Sequence, residues 1–286
     1  MIKMRLLNGQ PQNRISMADR AFQFGDGVFR TMRCTGGAIE FWARHYSHLE
    51  QDCAALGIVC PSASILLEDL SRLRPVDAVL KIIITRGETA RGYSVPDQLL
   101  PNRIVQLAAL PAYPEQLYQQ GVKVRVCSTQ ASWQPALAGV KHLNRLENVL
   151  ARREWHDPDI FEGLMLDRDG FVIEGVMSNV LVLSDNILST PKLEQSGVSG
   201  VMCEVIFDAA VQHGLQVEKR AWTLDEIKQS DAIWLTNSLM GLLPVSDLCG
   251  RHFQSHAAQL LLSGALKQLR QKEKFAIVDL AGMTKG

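Results

Sequence analysis

The order of apolar and polar positions changes period several times in the first hundred residues. Residues 2–8 read as a strand, and Asn8-Gly9 is a hairpin turn pair. Phe29 to Cys34 reads as another strand, and Gly36-Gly37 turns it into a short partner at Ala38–Phe41. From Trp42 to Leu56 the period becomes helical. Leu49, Cys53 and Leu56 share one face, and Gly57 is a stop. Ser64 to Leu73 predicts a second helix. Val79–Thr85 and Arg103–Leu110 are apolar β-rich runs.

Pro111 and Pro114 fall between ordered runs, so residues 111–117 are expected to link two domains. Beyond them, Val122–Cys127 alternates as a strand and Asn144–Trp155 is helical. Gly163–Leu166 and Phe171–Glu174 flank a turn at Asp169-Gly170, and Asn179–Leu183 is a further strand. Val201–His213 predicts a helix that opens after Gly200 and stops at Gly214. Ala232–Thr236 is a buried strand, and Ala257–Gln271 a late helix. Strands and helices mix without strict alternation, which predicts an α+β fold. A small N-terminal α/β domain is expected over 1–110 and a larger C-terminal domain over 118–275. Residues 276–286 form a tail with no assignment.

Composition narrows the function. Hydrophobic residues make up 47% of the 286 and charged residues 21%, an ordinary globular balance. Lysine plus arginine equals aspartate plus glutamate at 30 each, which argues against a general nucleic-acid binder. No apolar run reaches membrane-span length, and Met1–Arg5 does not read as a signal peptide. The six cysteines form no C-x-x-C pair, so they read as reduced core residues of a cytoplasmic protein rather than as a metal site. The pairs His45/His48 and His252/His256 have helical spacing but are not read with a carboxylate or cysteine as a ligand set. They read as surface residues, not metal ligands. Dinucleotide, P-loop, zincin and serine-hydrolase motifs are absent.

Four weak signals point to one ligand. Lys141 follows a glycine at the mouth of a helix, where a desolvated amine becomes a usable nucleophile. Glu174 leaves a strand beside small polar residues and can face a heteroaromatic nitrogen. Gly197-Val-Ser-Gly-Val-Met202 runs into a helix whose free N–H groups suit a phosphate. Thr236-Asn237-Ser238 ends a strand with hydroxyl and amide donors. A lysine forms an imine with an aldehyde, a glutamate holds a protonated pyridine, and the last two signals hold a phosphate. The ligand with all three groups is pyridoxal 5′-phosphate.

Five pieces, in the same order, resemble the fold-type IV (class IV aminotransferase-like) pyridoxal-phosphate enzymes. They are Asp19-Arg-Ala-Phe-Gln-Phe-Gly-Asp-Gly-Val-Phe29, Thr85-Arg-Gly-Glu-Thr-Ala-Arg-Gly-Tyr-Ser94, Gly139-Val-Lys-His-Leu-Asn-Arg-Leu-Glu147, Glu174-Gly-Val-Met-Ser-Asn179 and Gly197-Val-Ser-Gly-Val-Met202. The resemblance implies two domains, the larger with a mixed, barrel-like sheet, and a homodimer. It implies Lys141 as Schiff-base lysine and proton shuttle, Glu174 on the pyridine nitrogen, and Val201, Met202, Asn237 and Ser238 on the phosphate. Arg91 and Tyr93 would line the substrate side, and Thr31 would touch the reacting part.

Arg91-Gly-Tyr93 and Lys141-His-Leu-Asn-Arg145 lean toward the family's lyase branch. That branch converts 4-amino-4-deoxychorismate to 4-aminobenzoate and pyruvate in folate biosynthesis. The alternatives are a transaminase for D-amino or branched-chain amino acids and a non-catalytic binder with a decayed site. The family's transaminases usually carry glutamate where this chain has Arg30, which favours the lyase. Two departures stand out. His48 replaces the phosphate-binding arginine expected on the first long helix, and Cys203 replaces another after Met202. His48, when protonated, would substitute in part, so weaker cofactor retention or a rerouted phosphate contact is expected.

Overall fold

The computed structural model of the chain describes residues 2–96 and 99–277. It separates into two compact units. The first takes the residues up to Pro111, the segment Val140–Asn144 and the residues from Arg270 onward. The second takes Ala112–Gly139 and Arg145–Leu269. Two short segments therefore belong with the first unit rather than with their neighbours in sequence. Residues 115–117, expected in the linker, open a helix over Glu115–Gln120. Residues 278–286, most of the expected tail, lie outside the described residues.

The first unit is built on a seven-stranded antiparallel sheet. Its order is Lys274–Ala276, Ala38–Glu40, Gly27–Thr35, Ala78–Thr85, Asn102–Ala108, Ile2–Leu7 and Gln10–Pro11. Period-two alternation sorts the side chains to the two faces. Val28, Met32, Leu80, Ile82 and Val105 turn inward. They pack with Leu49 and Cys53 of the helix Trp42–Ala55, and with Leu66 and Leu70 of the helix Ala63–Arg72. Each buried leucine contributes about 2 kcal/mol of apolar burial. Ser62 caps the second helix by accepting from the Ile65 N–H. Phe29, Thr31 and Arg33 occupy the opposite, half-buried face.

The histidine pairs divide. His252 and His256 are exposed, as expected. His45 and His48 are buried, which corrects their reading as surface residues. They lie on the face of the first helix that also carries Leu49 and Asp52, so packing decides their place.

The second unit is a nine-stranded mixed sheet. Its main path is Gln216–Arg220, Ile187–Pro191, Asn179–Ser184, Ala232–Asn237, Gly241–Leu248, Val122–Val126, Ile160–Leu166 and Val172–Gly175. Arg251–His252 pairs off this path with Gly241–Leu248. Parallel pairs join Gln216–Arg220 to Ile187–Pro191, and Val122–Val126 to both of its neighbours. The sheet curls until its two ends meet. The Val172 N–H donates to the Trp222 carbonyl at 2.8 Å, and Phe171 bridges to Thr223. The barrel-like α+β core expected from sequence is therefore present. The helix Val201–Gln212 buries Val205, Ile206 and Ala209.

Candidate active site

The segment Val140–Asn144 enters the first unit as an added β partner. The Phe29 N–H donates to the Lys141 carbonyl at 2.9 Å, and the Leu143 N–H donates to the Gly27 carbonyl at 2.9 Å. His142 bridges to Val28 between them. Gly27 permits this approach. A Cβ there would lie 2.5 Å from the Ile84 carbonyl oxygen and 2.8 Å from Leu143 Cδ1. The Asn144 amide donates to the Gly25 carbonyl at 3.1 Å. The expected helix over 144–155 is correspondingly shorter, Leu146–Arg152, because Asn144 is spent on this contact.

From the other side, Asp52 Oδ1 accepts the Lys141 N–H at 3.2 Å. Asp52 also pairs with Arg30 at 2.5 Å, and both side chains are almost fully buried. Arg30 donates in addition to the His48 carbonyl at 3.3 Å. Burial pushes the Asp52 carboxyl above its usual range even beside Arg30, and pulls the Arg30 guanidinium down. The backbone of Lys141 is thus clamped between a strand and a buried ion pair. Sequence reading noticed Arg30 as favouring the lyase and His48 as a departure but missed Asp52. A carboxylate 22 positions from its arginine leaves no local pattern.

The stretch from Asp19 to Gly27 is an ionic scaffold. Asp19 caps the helix Arg20–Phe24 and accepts from Thr85 Oγ1 and Asn102 Nδ2, each at 2.7 Å. Asp26 accepts from Arg20 at 2.8 Å and Arg86 at 2.7 Å. Burial acts to raise the Asp26 carboxyl, but the two guanidinium groups outweigh it and hold it low.

The lysine side chain faces the open side of the sheet. Lys141 Nζ lies 4.7 Å from the centre of the Phe29 ring. Thr31 stands on that same sheet face. Arg91 and Tyr93 are placed differently. Arg20 holds their loop through the carbonyls of Gly92, Tyr93 and Ser94. Both side chains are exposed, Tyr93 by 84%.

In the second unit, Glu174 is buried and its Oε2 accepts the Val198 N–H at 2.9 Å. Gly197 sits at φ +86°, where a Cβ would strike Leu193 and Ile173. Asn179 donates to the Val198 carbonyl at 2.8 Å and stands opposite Thr236 across the sheet. The turn 197–200 is thereby held against the strand end that carries Thr236, Asn237 and Ser238. Val201 and Met202 form the first turn of the following helix, whose leading N–H groups lack intrahelical partners by construction. Thr236 Oγ1 is buried with no hydrogen-bond partner among the described residues. An orphaned hydroxyl within this assembly fits a phosphate.

Asn237 is committed to the turn. Its amide donates to the Met177 carbonyl at 3.0 Å, and its Oδ1 accepts from the Leu239 and Met240 N–H groups at 2.9 Å. Ser238 makes no such side-chain contact among the described residues. Burial pushes the Cys203 thiol up to about 11, so it supplies no charge. Sequence reading also missed Glu162. Its carboxylate accepts from the Met177 N–H at 3.1 Å and Ser178 Oγ at 2.9 Å, tying down the loop after Glu174. Burial lifts its pKa to about 7 against opposing hydrogen bonds.

A glutamate, a glycine-rich turn and a phosphate-fitting helix entrance on a curled sheet, with a backbone-clamped lysine on an antiparallel one, define a fold-type IV enzyme. The chain belongs to the amino-transferase class IV family, whose profile matches residues 27–248. It is 34% identical over 244 residues to the aminodeoxychorismate lyase of Vibrio harveyi, covering 85% of this chain and 90% of that one. The crystal structure of 4-amino-4-deoxychorismate lyase from Pseudomonas aeruginosa superposes with a TM-score of 0.89 at 38% identity. That match covers 93% of this chain and 98% of the other. A hypothetical aminotransferase of Mycobacterium tuberculosis, in its pyridoxal-phosphate-bound form, shares the fold at 19% identity and TM-score 0.80, covering 94% and 99% of the two chains.

Proposed function

We propose that this enzyme binds pyridoxal 5′-phosphate and cleaves 4-amino-4-deoxychorismate to 4-aminobenzoate and pyruvate. The observation that carries the reading is the likeness, over nearly the whole chain, to two lyases of that name at 34% and 38% identity. The bound cofactor supplies an aldehyde for the substrate amine and a ring that accepts electrons. Lys141 Nζ is the attachment point for that aldehyde. As the free amine it would take the proton from the amine-bearing carbon and return one to the departing enolpyruvate. Its backbone seat on Phe29 and Asp52 supports this role, because a shuttle must not drift between two proton transfers.

Glu174 holds the protonated ring nitrogen, with Oε2 fixed by Val198. The Val201 and Met202 N–H groups and Ser238 would hold the phosphate, the buried Thr236 hydroxyl would join them, and Asn237 braces the turn beside them. His48 is buried beside Arg30 and contributes from that helix. Thr31 touches the reacting part, and Arg91 and Tyr93 receive a substrate carboxylate. Arg30 tilts the reading from transaminase to lyase, since it fills with a cation the place usually held by a carboxylate.

The enzyme is proposed to work as a cytoplasmic homodimer in folate biosynthesis. All six cysteines are free thiols, which suits a reducing compartment. Exposed Met17, Phe22 and Tyr93 offer apolar surface to a second copy. No helix among the described residues is long and apolar enough to cross a membrane. The test is product analysis after adding aminodeoxychorismate to protein supplemented with pyridoxal phosphate. Equal 4-aminobenzoate and pyruvate are expected. Transfer of the amino group to a keto acid, with no pyruvate released from the substrate, would point to the transaminase instead.

A further inference from the structure

The helix Trp42–Ala55 ends in a reversal that lays the following residues back along one of its faces. Gly57 makes the turn at φ +62°, and the Ile58 N–H donates to the Cys53 carbonyl at 2.8 Å. Three residues on, the Tyr46 hydroxyl donates to the Pro61 carbonyl at 3.2 Å. Tyr46 and Cys53 lie about two helical turns apart on the same face. Residues 58–61 therefore run from Cys53 back toward Tyr46, and Cys60 falls against that face. The Cys60 thiol donates to the Pro61 carbonyl at 3.6 Å, and the Cys53 thiol is hydrogen-bonded to Cys60 Sγ.

The two thiols differ in access and in acidity. Cys53 is fully buried in the core of the first unit, whereas Cys60 is half-buried at its edge. The hydrogen bond from Cys53 holds the Cys60 thiol below its usual pKa, although burial and the carboxylates of Glu50 and Asp52 act the other way. The same bond, together with burial, pushes the Cys53 thiol up. A reachable sulphur with thiolate character, in contact with a second sulphur, is the arrangement that oxidises to a disulfide.

The pair also adjoins the seat of the lysine segment. Asp52 directly precedes Cys53 and accepts the Lys141 N–H at 3.2 Å. A disulfide would shorten the sulphur contact to about 2 Å, so the backbone on at least one side must move. The loop side is held: Arg86 donates to the Leu56 and Gly57 carbonyls at 2.6 and 2.9 Å, and Tyr46 holds Pro61. The helix end takes part of the shift, and Asp52 moves with it.

We propose that Cys53 and Cys60 form a reversible disulfide under oxidising conditions, and that this bond lowers turnover by drawing Asp52 away from the Lys141 backbone. The chemistry is exchange with a small-molecule disulfide such as oxidised glutathione. Cys60 attacks one glutathione sulphur and releases the other as a thiol. Cys53 then attacks Cys60 Sγ and releases the second glutathione. Two protein thiols are oxidised by two electrons, one glutathione disulfide is reduced, and both protons leave on the two glutathione thiols. The effect on turnover rests on the lyase reading, whereas the disulfide does not.

The experiment incubates the enzyme, supplemented with pyridoxal phosphate, with oxidised glutathione, then alkylates free thiols and digests with trypsin. Residues 45–72 are released as one peptide that holds Cys53 and Cys60 and no other cysteine. That peptide should resist alkylation and be about 2 Da lighter than its reduced form. The kcat should fall about tenfold or more and return with dithiothreitol. Cys60→Ser and Cys60→Ala should leave kcat unchanged and make it insensitive to the oxidant. Cys249→Ser, which removes the exposed cysteine, should respond as the unaltered enzyme does.

Two free thiols in the 45–72 peptide, or glutathione left on Cys60, overturn the disulfide. A bonded peptide with undiminished kcat overturns its link to Lys141, and so does inhibition that persists in Cys60→Ser. If the reduced, unaltered enzyme releases no 4-aminobenzoate, the lyase reading fails, and the peptide mass still decides the disulfide.

Discussion

Asp52 holds Lys141 by its backbone, accepting the N–H at 3.2 Å, while its other oxygen pairs with Arg30. The carboxylate joins a buried cation to the segment that carries the shuttle. Asp52→Asn leaves Arg30 charged and uncompensated in the core, a loss of about 3–5 kcal/mol of stability. Urea denaturation measures it. Replacing the pair together, Arg30→Met with Asp52→Leu, should recover most of that stability but not the activity, because the Lys141 N–H then has no acceptor.

Lys141→Ala should lower product formation by more than about a thousandfold. It should also abolish the visible absorption band of the cofactor-supplemented protein. Substantial residual turnover would remove Lys141 from its role.

Glu174→Gln separates charge from packing. The amide oxygen still accepts the Val198 N–H, so thermal stability should change by less than about 1 kcal/mol. The protonated ring nitrogen loses its anion, and kcat should fall roughly a hundredfold. A variant with full activity would show that Glu174 serves only to fix Val198.

Glu162 makes stability depend on pH near neutrality. Its pKa rises from 4.5 to about 7 on folding, so between those values the folded chain keeps a proton that the unfolded chain has released. Stability therefore falls as pH rises through that window, by roughly 3 kcal/mol in total, and levels off above it. Denaturation midpoints between pH 5 and 8 should show the fall, and Glu162→Gln should flatten it. A slope that persists in the variant would place the titration elsewhere.

Gly27→Ala tests the seat of the lysine segment. The added Cβ meets the Ile84 carbonyl and Leu143, so either strand or segment must shift. A loss of about 1–3 kcal/mol is expected. Proteolysis should reach the 140–144 segment faster in the variant than in the parent.

Elements with strong periodicity were legible in the sequence. Val79–Thr85 is observed as Ala78–Thr85, and Val201–His213 as Val201–Gln212. What escaped was set by distant partners. Gln216–Arg220 is a largely polar edge strand that exists because Ile187–Pro191 pairs with it in parallel. The helix Leu224–Gln229 carried a readable signal that was overlooked, the Thr223…Glu226 capping box. At the site, Lys141, Glu174 and the 197–202 turn stood out because glycine and charge mark them locally. Asp52 and Glu162 did not. Their meaning lies in what folding sets beside them: a backbone N–H and a loop.

The strand Lys274–Ala276 pairs with Ala38–Glu40, and Arg44 reaches Glu273 at 2.8 Å. The first unit is thus completed by residues made long after its other strands. During synthesis, its outer strand Ala38–Glu40 waits unpaired on one side until more than two hundred further residues have left the ribosome. Over that interval the nascent chain carries an open sheet edge, the kind of surface that chaperones cover and that joins chains wrongly when they are crowded. A chain cut short before Lys274 would keep Lys141 and every proposed cofactor contact, yet it would never close that edge.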